Sequence, residues 1–443
     1  MKRLLLSILF TFVFLYGHAE VNFDYYFEDA TLRLDYLFSG DVSSQSIYFR
    51  EAVKTSRWAG RKKHLDELPL KGNGQIEVRD HEDGTLLYVN GFSTLFQEWL
   101  SYEEAVRVPR AFENSFQVPF PKRPVDITVR LQDNHNRDIA VLTHGIDPSD
   151  ILIRRMKDNG IPRRILHLGG GDAIDVVILA EGYSARDSVK FFRDARRAVD
   201  ALLAHEPFKG NEDKFNFTAI YAVSRDSGVS IPRAGRWRDT AVQSHFDTFY
   251  TERYLTTVEM RRVYDIIGTV PCEHVIILAN TPVYGGGGVF NNVTIMASDT
   301  PPFEVVLVHE FGHAFGGLAD EYAYDDMYDV MYPADTEPWE PNITTLKHFG
   351  EKWADMLESG TTVPTPVDSL EKAGDIRSMW RYLSEEDRYR LNHKIGVYEG
   401  AGYMSKGVYR PVQECRMRIN ECEDFCPVCM RSLRRLITFY TER

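Results

Sequence analysis

Apolar and polar residues alternate in short runs over the first third of the chain. Residues 30–38, 84–89 and 125–131 each read as strands, separated by turn-forming segments such as Gly72-Asn73-Gly74 and Asp133-Asn134-His135-Asn136. Several short strands with turns between them predict an all-β sandwich over residues 20–156. A polar, basic passage at 157–164, containing Gly160 and Pro162, reads as a linker. The character then changes. Residues 173–180 are a continuous apolar strand of the kind buried on both faces. Glu181-Gly182-Tyr183-Ser184 turns into a helix with apolar spacing at Val189, Phe192, Ala195 and Val199. Further strands are expected at 217–223 and 274–279. Strand and helix in alternation predict an α/β domain over 157–443, so the whole is expected to be multidomain α+β.

The run Tyr284-Gly285-Gly286-Gly287-Gly288-Val289 is expected to bend into a strand that offers an exposed sheet edge to an extended peptide. It has no Gly-Lys-Ser/Thr ending, which argues against a phosphate loop. A helix is expected next, capped by Asp299 or Thr300 with Pro301 and Pro302 in its first turn, and stopped by Gly316-Gly317 in a left-handed conformation.

At its start the chain has Met1-Lys2-Arg3, an apolar run from Leu4 to Tyr16, then Gly17-His18-Ala19. This is the pattern of a secretory signal over 1–19, with an apolar run too short to span a bilayer; an N-terminal anchor is the competing reading. Export to the periplasm, the cell surface or the medium is therefore expected. The chain carries 52 basic and 65 acidic side chains, a net charge of −13 that removal of Lys2 and Arg3 makes more negative. Such a surface repels nucleic acid and anionic membranes. Among the 5 cysteines, Cys272 precedes an apolar run and reads as a buried thiol. Cys415, Cys422, Cys426 and Cys429 crowd together; in an exported chain the first expectation is one or two disulfides, and the second a structural zinc knot.

The chemistry lies in Val308-His309-Glu310-Phe311-Gly312-His313, which contains His-Glu-x-x-His. His309 and His313, at i and i+4 on a helix, can reach one zinc ion, and Glu310 can handle protons without binding the metal. Catalytic zinc takes three protein ligands and a water. Asp320, just past the glycine turn, is the favoured third ligand; Glu321, Glu351 and Glu358 are the alternatives. Tyr322, Tyr403 and Tyr409 are candidate donors to a tetrahedral intermediate. Serine catalysis lacks a Gly-x-Ser-x-Gly elbow, and the apolar setting of Cys272 disfavours cysteine catalysis.

Several segments in order carry a family resemblance: 179–184, Lys190-Phe191, Asp194-Ala195, 215–217, 224–228, 309–322, 396–403, Tyr409-Arg410-Pro411 and Cys415-Arg416-Met417-Arg418. Over roughly 165–443 the chain resembles the M64 metallopeptidases, also called the IgA-peptidase family. The resemblance implies a metzincin-like zinc endopeptidase domain, preceded by the family's β-sandwich, acting on a protein or peptide substrate. It implies that Met417 occupies the methionine-turn position beneath the zinc. Gly316 matches the metzincin glycine, but the acid comes one residue late, so Asp320 and Glu321 both stay open. The family name does not make immunoglobulin A the substrate. Two other readings share these residues: a glycan- or protein-binding sandwich with a weakly active or inactive peptidase-like domain, and a zinc amidase acting on cell-wall peptides.

Overall fold

A computed structural model describes residues 20–157, 161–171, 173–324, 330–368 and 376–442. The expected signal segment lies outside them. A single turn, α1 (Phe23–Tyr26), leads into β1 (Phe27–Gly40), β2 (Gln45–Lys54), β3 (Gly74–Asp80) and β4 (Leu86–Phe92). After α2 (Leu95–Trp99) come β5 (Arg110–Pro121), β6 (Val125–Gln132), β7 (Asp138–Ile146) and the two-residue β8 (Arg154–Arg155). They form two four-stranded sheets, ordered β5-β1-β2-β8 and β4-β3-β6-β7. Leu32, Leu34, Tyr36 and Phe38 from one sheet share a buried core with Ile76, Val78, Ile127 and Val129 from the other. This is the sandwich that the alternation predicts, since side chains at every second position point to the same face.

The next sheet has six strands: β9 (Arg163–Gly170), β10 (Ile174–Glu181), β11 (Phe215–Ala222), β12 (His274–Ala279), β13 (Gly286–Val289) and β14 (Val293–Ala297). Their order is β13-β14-β12-β10-β11-β9, with β10, β11, β12 and β14 mutually parallel and the two edge strands antiparallel. β10 is buried at every position. Val176, Ile178 and Ala180 join one core with α3 (Ser188–Leu203), while Val177 and Leu179 join another with α4 (Met260–Ile267). A strand covered on both faces has no polar side, which is why its sequence does not alternate. The buried face of α3 runs through Phe191, Ala195, Ala198 and Leu202; Val189, expected on it, is 82% exposed.

α5 (Phe303–Ala314) packs on the same face as α3. Its N-cap is Pro302 with no side-chain cap, so neither Asp299 nor Thr300 serves as expected; the Thr300 carbonyl accepts from Phe303 N–H, and Asp299 pairs with Lys190 at 2.8 Å. A three-stranded sheet follows, built from β15 (Ala323–Tyr324), β16 (Tyr398–Ala401) and β17 (Tyr403–Arg410) in the order β15-β17-β16. The C-terminal helix Pro427–Thr441 closes the core beside α5 through Leu433, Leu436 and Ile437.

The two parts of the chain share surface close to α5. Ser93 N–H donates to the Phe290 carbonyl at 3.0 Å, Asn291 to the Gly91 carbonyl at 2.8 Å, and Trp339 Nε1 to Asn73 at 2.6 Å. Phe249 and Val289 insert into the sandwich core. No helix among the described residues is long and apolar enough to cross a membrane.

Candidate active site

One turn separates His309 from His313 on α5, and their Nε2 atoms lie 3.1 Å apart. Both Nδ1 atoms face backbone carbonyls: that of Arg416 at 2.9 Å from His309, and that of Leu318 at 2.5 Å from His313. A carbonyl can only accept, so each ring donates through Nδ1 and turns the lone pair of Nε2 inward. Gly317, at φ +57, makes the turn that brings Leu318 under His313, as the left-handed stop requires. The chain then returns Asp320, whose Oδ1 lies 3.1 Å from His309 Nε2 and 3.3 Å from His313 Nε2.

Three acceptor atoms thus converge in one place. Asp320 Oδ1 is buried and receives no hydrogen bond, whereas Oδ2 accepts from the Tyr403 hydroxyl. Such lone pairs crowd together only around a proton or a metal ion, and two imidazoles with a carboxylate suit zinc. The residues therefore fit such an ion. The imidazole side chains keep 12% and 16% exposure, enough for a fourth position to open to solvent.

Glu310 points from the same helix but is not in the converging group. Burial raises its pKa, against the pull of the two imidazoles. Its backbone is pressed against β13: a Cβ on Gly288 would stand 2.2 Å from the Glu310 carbonyl oxygen. The glycine run thus permits a close approach of sheet to helix. β13 is the edge strand, as expected, but not a bare one: Gly286 bridges to Tyr254, whose ring lies over Gly287. The Tyr254 hydroxyl donates to Glu98 of α2 at 2.5 Å. Burial pushes the Glu98 carboxyl up to about 7, with His313 near enough to act on it. The sandwich therefore contributes a wall to the site. No spacing rule links Glu98 to His313, 215 positions apart, so only the tertiary contact reveals it.

Among the alternatives for the third ligand, Glu351 and Glu358 are exposed and outside the group. Glu321 turns the other way, into a buried cluster with Cys415, Cys426 and Cys429. Met417 is fully buried, with its sulfur against Gly312 between the two histidines, and its carbonyl accepts from Glu321 N–H at 2.8 Å. That is the placement implied for a methionine turn. The tyrosines divide differently. Tyr403 is spent on Asp320, and Tyr322 packs on it at 5.4 Å between rings, close to the same carboxylate. Tyr409 lies at the far end of β17, paired through its backbone with Thr344 and facing Glu399. The phenols near the site thus orient a carboxylate rather than stand free as donors.

A family model described as IgA Peptidase M64 matches residues 166–381 and 382–437, and one described as Peptidase M64 N-terminus matches residues 22–143. No curated protein matches the chain.

Proposed function

The chain belongs to the M64 peptidase family, with that family's N-terminal domain ahead of its peptidase domain; from this premise we propose that it is an exported zinc-dependent endopeptidase. It hydrolyses protein or peptide substrates. The observation that carries the metal assignment is the convergence of His309 Nε2, His313 Nε2 and the donorless Asp320 Oδ1. These three atoms would hold the zinc ion, which when bound polarises the scissile carbonyl and makes water more acidic.

The chain's own groups do the rest. The carbonyls of Arg416 and Leu318 aim both imidazoles by holding their Nδ1 protons. Tyr403 occupies Oδ2 of Asp320 and leaves Oδ1 for the ion. Glu310 takes a proton from the attacking water and returns it to the leaving amine. Its raised pKa, produced by burial, makes its carboxylate a better proton acceptor than a solvated one. Glu98 and Tyr254 wall the site against bulk water. Export rests on the sequence pattern of residues 1–19.

The test is cleavage of an unfolded protein and of mixed peptides, read by mass spectrometry. Internal fragments are expected, lost on chelation, restored by zinc, and lost in Glu310→Gln. Cleavage that survives Glu310→Gln would overturn the role of Glu310; release of terminal residues alone would overturn endopeptidase action.

A further inference from the structure

Asp320 and Glu321 are neighbours in sequence but point into different clusters. Glu321 is fully buried, and its Oε1 lies 3.2 Å from Cys429 Sγ. Cys415 and Cys429 have sulfurs 3.9 Å apart, and Cys426 completes the group, all four ligand atoms lying within 4.8 Å of one another. We propose that Glu321, Cys415, Cys426 and Cys429 form a second, structural zinc site.

The distances suit an ion better than a sulfur–sulfur bond. A tetrahedral ion with Zn–S of about 2.3 Å sets its sulfurs roughly 3.8 Å apart. A disulfide needs about 2.05 Å, and none of the five cysteines is bonded to another. The expected disulfides are therefore not what the fold presents, and Cys422 stands apart, its thiol donating to the Asp424 carbonyl at 3.5 Å. A Cys415–Cys429 bridge would also leave Cys426 unused and the Glu321 carboxylate stranded. Asn342 donates to Oε1 at 2.9 Å, but Oε2 is buried with no partner. A buried carboxylate oxygen in that state calls for a cation or a proton.

Backbone donors face two of the sulfurs. The backbone N–H of Cys426 points at Cys415 Sγ at 3.3 Å, and that of Cys429 at Cys426 Sγ at 3.5 Å. Cys426 caps the helix Pro427–Thr441, with Cys429 in its first turn, where the helix dipole stabilises negative charge. Three thiolates and a carboxylate fill all four positions of a tetrahedral ion, leaving none for substrate, and sulfur-rich ligation selects zinc over the hard divalent cations. The site's work is positional. It anchors Glu321 beside Asp320, and Cys415 beside Arg416, whose carbonyl aims His309.

The test uses the full chain carrying His309→Ala and His313→Ala, which empties the first cluster, purified without chelator and loaded with zinc or with cobalt(II). One tightly held equivalent is expected, with thiolate-to-cobalt charge-transfer absorption in the near ultraviolet. Unfolding in chelator without reductant should release all 5 thiols. Adding Cys426→Ser and Cys429→Ser should remove the metal and the band. No charge-transfer band in the histidine variant, or a count of three thiols, overturns the proposal, and both readings stand even if the serine variant does not fold. Because peptidase activity is not measured, the outcome is separate from that of the catalytic reading.

Discussion

Two clusters share one loop and differ in almost everything else. The first joins two nitrogens and an oxygen, holds its histidines by backbone carbonyls, and stays partly open to solvent. The second joins three sulfurs and an oxygen and is sealed. Consecutive residues serve them because the loop sends the Asp320 and Glu321 side chains into different groups. Openness suits chemistry and closure suits structure: a metal that must admit water keeps a free position, and one that only ties chain segments together does not.

The comparison breaks most decisively at Glu310. Glu310→Gln should lower kcat/KM by about 10²–10⁴-fold with the metal content and melting temperature of the parent, measured by steady-state kinetics, elemental analysis and calorimetry. A comparable loss of stability would mean that the open cluster is structural too. Cys429→Ala should do the reverse, costing about 3 kcal/mol in denaturant unfolding because it strands a buried carboxylate and two thiolates. An unchanged midpoint would remove the contrast between the clusters.

Acid sharpens the comparison from another side. His274, on β12 beneath α5, has rings of Phe311, Phe315 and Tyr440 around it, and burial lowers its pKa to about 4 from 6.5. The unfolded chain then binds this proton more readily than the folded one. Stability should be complete above pH 6.5 and fall by up to about 3 kcal/mol as pH drops to 4. His274→Phe should flatten that slope in urea titrations at several pH values, so that metal loss from His309 and His313 can be followed without it. A slope unchanged in the variant would place the acid sensitivity elsewhere.

The smallest effect is expected at Tyr403. Tyr403→Phe removes one hydrogen bond to Asp320 and should weaken zinc at the open cluster about tenfold, read by chelator competition, with the sulfur cluster unaffected. Equal weakening of both would show that the loop couples them.

Much of the architecture was legible because burial leaves a mark on sequence. β12 spans residues 274–279 as its apolar run predicts, and the hairpin after β6 turns at Asp133–Asn136 with Asn136 at φ +59. β9 leaves little mark because it is an edge strand, largely exposed and opened by two arginines, with only Ile165, Leu166 and Leu168 to betray it. The face of α3 was misjudged around Val189 because position along a helix does not say where the sheet lies.

By itself, the sequence determined which groups could carry chemistry: His309, Glu310 and His313 at helical spacing, a glycine stop, and carboxylates beyond it. Those are local relations, set by the geometry of one helix turn. Only the tertiary structure separated Asp320 from Glu321, setting the first among the histidines and the second among Cys415, Cys426 and Cys429 from far along the chain. It also brought Glu98 and Arg416 to the site. Contacts across such separations depend on how sheets and helices pack, and no spacing along the chain encodes that.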